Sequence, residues 1–169
     1  VRYNNCEALH QCCVHGNLET LEFLCDVMPL TRDDVIRQNN RCLFRSCCVC
    51  NHLDVAKYLV RRFNVSLDDL GDEQFTLLLN CCYHNHFDML KYLFEGLNMD
   101  VDVVREKYGR DCIEKCCVHG SFPSLQYFFE KVGLTAEDAR ANDNMALIIC
   151  AQRNHLQILK YLTTQVGLT

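Results

Sequence analysis

No apolar run in this chain of 169 residues approaches the roughly 18 consecutive residues that a membrane-spanning helix needs. A secretory leader is not expected either, since Val1-Arg2-Tyr3-Asn4 does not read as a signal peptide. Basic excess is lacking, with 17 Lys and Arg against 22 Asp and Glu for a formal charge of −5, which speaks against general binding to a phosphate backbone. Nor does the chain contain a Gly-rich phosphate loop, a Gly-x-Ser-x-Gly elbow or a His-Glu-x-x-His segment. These absences argue against a membrane span, a nucleic-acid binder and the common enzyme classes. The expected setting is intracellular and cytoplasmic.

Cysteine, by contrast, is abundant, with 14 in all. In a small secreted domain that number would suggest a disulfide framework. Here nine of them fall at one recurring position, as four adjacent pairs plus Cys150. Neighbouring cysteines are poorly placed to bridge each other, because consecutive helical residues point about 100° apart. Reduced, buried thiols are the expectation.

The recurring position sits in Cys-Cys-Val-His-Gly, at Cys12–Gly16 and again at Cys116–Gly120. Looser copies begin at Cys47 and Cys81, and a decayed one at Cys150. The starts are separated by 35, 34, 35 and 34 residues. A period of this length marks an array of repeated supersecondary units, each stacked on its neighbours. Five units result, at about 1–30, 31–65, 66–99, 100–134 and 135–169.

Two apolar patterns follow one another inside each unit. The first joins Ala8-Leu9 to Cys12-Cys13, Leu43-Phe44 to Cys47-Cys48, Leu77-Leu78 to Cys81-Cys82, Cys112-Ile113 to Cys116-Cys117, and Ala146-Leu147 to Cys150-Ala151. Apolar pairs four residues apart describe one face of a short helix. A polar turn then follows (Gly16-Asn17, Asn51-His52, Asn85-His86, Gly120-Ser121, Asn154-His155), with Gly or Asn suited to the left-handed geometry that ends a helix. The second pattern starts at Leu18, Leu53, Phe87, Phe122 and Leu156, again at helical spacing, and carries an aromatic at Phe23, Tyr58, Tyr92, Tyr127 and Tyr161. That ladder reads as packing between repeats, with each hydroxyl near solvent.

A third element opens at Thr31, Ser66, Asp100, Thr135 and Thr169, all good helix N-caps. Acids follow at Asp33-Asp34, Asp68-Asp69, Asp102 and Glu137-Asp138, where they favour a helix start and can return a hydrogen bond to the cap. A short capped helical turn between units is therefore expected, and the acids need no metal or catalytic role. Arg45, Lys57, Arg61 and Arg62 form a small basic concentration that reads as a solvated helix face.

Ala8-Leu9-His10-Gln11-Cys12-Cys13-Val14-His15-Gly16-Asn17-Leu18 resembles the Leu-His-x-Ala-Ala-x-x-Gly-His segment of ankyrin repeats, and Asn51–Leu59 resembles its continuation. The resemblance runs five times through the chain. It implies an all-α helical solenoid that binds another protein on its concave face, without enzymatic activity or cofactor. Two departures stand out: Cys-Cys replaces the Ala-Ala pair, and the capped segment replaces the family's hairpin finger. The family binds through the two residues after the Ala-Ala pair. Those are Val14 and His15, Val49 and Cys50, Tyr83 and His84, Val118 and His119, and Gln152 and Arg153.

Two rival functions come from other classes. Neither terminal unit has exchanged its apolar set for charge: the first keeps Leu9, Cys12, Cys13, Leu21 and Leu24, the last Leu147, Ile149, Ile158, Leu159 and Leu162. The expectation is a window of a longer array, or a chain that self-associates end to end through its terminal repeats. The pairs Cys12/His15, Cys47/Cys50, Cys81/His84 and Cys116/His119 share an i, i+3 spacing that could serve a metal or thiol-redox role. A structural zinc site needs four ligands, however, and a position repeated in every unit favours packing.

Overall fold

The computed structural model describes residues 2–36 and 42–168, with the side chains of residues 2–6 and 141–143 left aside. Helices supply all the regular structure among the described residues, and no strand occurs there. The hairpin finger is thus absent from the connectors described. None of these helices is long and apolar enough to cross a membrane.

The repeats unfold in order as helix pairs. They are α1 (Arg2–His15) with α2 (Leu18–Val27), α4 (Leu43–Val49) with α5 (Leu53–Phe63), and α6 (Glu73–His84) with α7 (Phe87–Glu95). The fourth and fifth are α9 (Gly109–His119) with α10 (Phe122–Tyr127), and α12 (Ala141–Gln152) with α13 (Leu156–Thr164). Between pairs lie α3 (Arg32–Ile36), a 3-10 turn at Leu67–Leu70, α8 (Val101–Val103) and α11 (Ala136–Ala139). Wider π turns extend α8 over Val104–Tyr108 and α10 over Phe128–Val132.

By its internal contacts the chain forms two compact units, Val1–Leu77 and Leu78–Thr169. In the first, α4 lies against α1 and α5, and α3 against both α4 and α5. Its core holds Leu9, Cys12, Cys13, Leu21, Phe44, Cys47, Cys48, Val55 and Leu59. In the second, α12 lies against α9 and α11, while α10 touches α7, α9 and α13. Its core holds Cys81, Cys82, Leu90, Leu93, Ile113, Cys116, Cys117, Phe128 and Leu162.

The helix-ending turns take the expected hand. Gly16, Asn51, Asn85, Gly120 and Asn154 all have φ between +58° and +74°, the region open to Gly and tolerated by Asn. Glycine at two of these positions has a second cause in the next repeat. A Cβ on Gly16 would lie 2.3 Å from His52 Nδ1, and one on Gly120 would lie 2.8 Å from His155 Cε1. Those rings are held by hydrogen bonds: His52 Nε2 donates to the Val14 carbonyl at 2.9 Å, and His155 Nε2 to the Val118 carbonyl at 3.3 Å. A carbonyl only accepts, so Nε2 carries the proton in both. Where the turn residue is Asn85, the next repeat supplies the shorter Ser121, which donates to the Cys82 carbonyl at 2.5 Å.

Capping boxes open three connectors. Thr31 and Asp34, Ser66 and Asp69, and Thr135 and Asp138 each exchange cap hydrogen bonds. Asp100 caps α8 by accepting from the amides of Asp102 and Val103. Asp102 departs from expectation, because it turns to Arg105 instead of returning a bond to its cap. Thr169 lies outside the described residues. Ahead of it, the Leu168 amide bonds the Leu162 carbonyl just as Leu134 bonds Phe128.

The aromatic ladder packs against the preceding repeat at three of its five rungs. Tyr58 lies near the Cys25 thiol, and Tyr127 sits against Phe87 and Phe94 with its hydroxyl 3.3 Å from Glu95. Tyr161 contacts Phe122 and Phe129, and Tyr92 is half-buried. Burial and the Glu95 carboxylate push the Tyr127 hydroxyl up to about 12. Phe23 breaks the pattern at 64% exposure. Ala8 and Ala151 are likewise exposed rather than paired into the core.

All 13 described cysteines are free thiols, and only Cys50 is half-exposed. Thiols of successive repeats lie close enough to influence one another, Cys13 with Cys47, Cys82 with Cys112 and Cys116, and Cys117 with Cys150. Burial and the neighbouring Cys112 push Cys81 up to about 12. A thiolate there is scarce at neutral pH. Alkylation of the folded protein at neutral pH is therefore expected to label Cys50 first, with the doublets protected until unfolding. Rapid labelling of several doublet thiols would defeat the buried-core reading. Replacing Cys47 by Ala should be mild, whereas Leu should cost about 1–3 kcal/mol in chemical denaturation by overpacking.

A pH dependence follows from the connectors. Partial burial works against the Asp69 charge, but the Ser66 amide, the Arg32 guanidinium and the Ser66 hydroxyl outweigh it and hold the carboxyl below its usual value. Arg32 reaches both Asp69 oxygens, at 2.6 and 2.7 Å, and so joins α3 to the next connector. Because the folded value is depressed, this stabilisation is complete above the unfolded value near 3.9 and fades as pH falls through the folded one. Asp69→Asn should cost about 1–2 kcal/mol at neutral pH. In denaturant titrations carried below that window, the difference from wild type should vanish. A difference constant with pH would remove the carboxylate from the account.

Candidate functional site

The ten residues that follow the doublets all reach solvent, although each doublet except Cys150-Ala151 is buried on both sides. In the first unit Val14, Val49 and Cys50 are half-exposed and His15 is exposed. In the second, Tyr83, His84, Gln152 and Arg153 are exposed, with Val118 and His119 half-exposed. The cause is helical geometry. A residue two or three steps beyond a buried pair has rotated off the core face, and the left-handed turn then stops the helix.

In the second unit these side chains form a cluster. The Tyr83 and His119 rings lie 3.8 Å apart, and Tyr83 meets His84 edge-on at 4.6 Å. His84 stacks on His86 at 5.3 Å. The strip thus joins α6 and α9 through an aromatic–imidazole contact, while Tyr83 keeps 47% of its surface exposed. Partial burial, then the charges of Lys115, Arg153, His84 and His155, hold His119 below the usual imidazole value. His86, His155 and Lys115 belong to this cluster but were not among the candidate residues. Lys115 was legible one helical turn before His119. His86 and His155 were read only as turn residues.

The Cys-x-x-His and Cys-x-x-Cys pairs do not act together. Their first members, Cys12, Cys47, Cys81 and Cys116, are buried among other thiols, and their second members face solvent. Among the described residues no group of three or more His, Cys, Asp or Glu is arranged to hold a metal ion. The basic concentration is dispersed as well. Arg45 approaches Glu73 at 3.5 Å, and Arg62 approaches Asp26 at 3.7 Å. Lys57, Arg61 and Arg62 line an open groove between α2 and α5 alongside Glu22, Asp54, Leu18 and Tyr58. The groove is of mixed charge.

The apolar residues named for the terminal repeats are mainly internal. Leu9, Cys12, Cys13 and Leu21 are buried, as are Ile158 and Leu162, while Leu24, Leu147, Ile149 and Leu159 are half-buried. The large exposed apolar side chains of these repeats are others, Phe23 and Val27 on α2, and Met145, Ile148 and Leu156 on α12 and α13.

Comparison with known proteins gives one family. A profile described as "Ankyrin repeats (many copies)" matches residues 44–94 and 98–163. The searches of curated proteins and of solved structures returned no match. Helix pair, left-handed turn and buried doublet coincide with the matched residues, which make up well over half of the sequence, and the chain belongs to the ankyrin-repeat family.

Proposed function

We propose that this chain is a non-enzymatic scaffold that binds a partner protein through the strip after the doublets, the concave face in ankyrin arrays. Ankyrin repeats are generally protein–protein interaction modules, typically without catalysis. The observation that carries the reading is the exposed Tyr83, packed at 3.8 Å against the tilted ring of His119 and flanked by His84. A ring held by its neighbours offers large contact area at low entropic cost, the property that enriches Tyr at binding hot spots. An intracellular setting accords with thirteen free thiols.

The test is a photo-crosslinking amino acid at position 83, with a control at the exposed Asp88 on α7. Crosslinks to a partner protein in the native source are expected from position 83 and not from 88. Tyr83→Ala with His84→Ala should then weaken that partner's binding about tenfold or more, with unchanged thermal stability. Crosslinks from position 88 alone would move the interface off this strip.

Exposed apolar side chains favour a second reading, self-association through the terminal repeats. Phe23 and Leu156 are 64% and 54% exposed. Sedimentation across a wide concentration range should then show mass growth that Phe23→Ser and Leu156→Ser abolish. A constant monomer mass would exclude it.

A further inference from the structure

Fixed positive charge gathers on the strip of the second unit, although the whole chain carries −5. The charges that act on His119 come from Lys115 on its own helix, from Arg153 and His155 after α12, and from His84 on α6. All four are basic. The acids of α9 act elsewhere, Glu114 on Cys117 and Asp111 on Cys112. Of the other cations, six are engaged: Arg32, Arg45, Arg62, Lys91 and Arg105 have carboxylate partners, and Arg140 donates to the Gly167 carbonyl. Lys115 and Arg153 have no such partner among the described residues. Two uncompensated cations therefore flank three imidazoles and an exposed phenol.

From this juxtaposition we infer that the strip takes an acidic segment of the partner protein, with carboxylates between Lys115 and Arg153 and an apolar side chain against Tyr83. The inference rests on the binding reading above and adds the chemistry of the partner. Complementary charge of this kind sets specificity and association rate. A nucleic acid fits less well, because two permanent cations neutralise too few phosphates to hold a charged backbone against salt. The imidazoles add a pH dependence with a definite sign. Free, His119 is held below its usual value by partial burial and then by its basic neighbours; a bound carboxylate opposes that shift, so binding takes up protons and tightens as pH falls through the imidazole range.

The experiment is selection of a random dodecamer peptide library on the full chain at about pH 6, below the ordinary imidazole value near 6.5. The recovered peptides should be rich in Asp and Glu. For a synthesised acidic winner, fluorescence anisotropy should show Kd falling about three- to tenfold from pH 8 to pH 6. Lys115→Gln with Arg153→Gln should weaken it about tenfold and flatten its salt dependence. Arg61→Gln, in the other unit, should leave Kd unchanged. The pH profile separates an electrostatic role from simple loss of fold. Neutral or basic winners that still lose binding with Tyr83→Ala would overturn the acidic partner and leave the strip standing. Winners indifferent to both sets of strip variants would overturn the strip as well. Tighter binding of an oligo-dT probe than of any recovered peptide would replace the peptide by a nucleic acid.

Discussion

Close contact at the cysteine doublet is the constraint on which the other features depend. Within each unit, successive first helices meet through side chains no larger than a thiol: Cys13 against Cys47, and Cys82 against Cys112 and Cys116. Burying a leucine-sized side chain contributes about 1.5–3 kcal/mol, whereas one hydrogen bond nets about 0.5–1.5. Leu9, Leu43, Leu77, Leu78 and Ile113 therefore supply most of the stability around each doublet. The small residues contribute by what they permit. They let the helices approach until a turn side chain of one repeat can reach a carbonyl of the one before. His52, Ser121 and His155 complete that reach. Because the reach is short, a glycine is required opposite His52 and His155.

Much of this was legible in the sequence, because a period of 34 or 35 residues lets each repeat test the reading of the next. Positions of the five turns, the buried doublets and the capped connectors emerge from spacing and residue type alone. Exceptions arose where a side chain had a choice of partners or stayed exposed. Asp102 prefers Arg105 to its cap, a competition between two hydrogen-bonding routes that no periodicity reveals. Phe23 repeats the aromatic signal and yet stays 64% exposed. Cys-x-x-His spacing likewise brings two metal-ligating types to one helix without showing which faces the core.

The candidate site was legible as a set of positions and not as a cluster. Family resemblance marks two residues per repeat with equal weight, yet the structure distinguishes them. Tyr83 meets His119 across two repeats, a long-range contact invisible to a pattern that treats each copy separately. In the first unit the corresponding side chains are smaller: Val14, Val49 and Cys50 are half-exposed, and His15 shows no ring contact among the described residues. An array can therefore keep one backbone geometry throughout while concentrating recognition chemistry in a few of its repeats.

Histidine occupies two structurally different places within a few residues of each turn, and the difference decides what it can do. His52 and His155 donate Nε2 to a carbonyl of the preceding repeat, which anchors each ring between repeats. His84 and His119 meet other rings instead, and the charge of His119 answers to its burial, its basic neighbours and whatever binds. Protonating an anchored imidazole leaves its donated bond in place. Protonating His119 adds a charge beside Lys115 and Arg153, which repel it until a carboxylate arrives. One residue type thus serves as a fixed latch at the helix start and as a responsive group at the helix end. The carbonyl that holds one ring, and the open surface beside the other, separate the two roles.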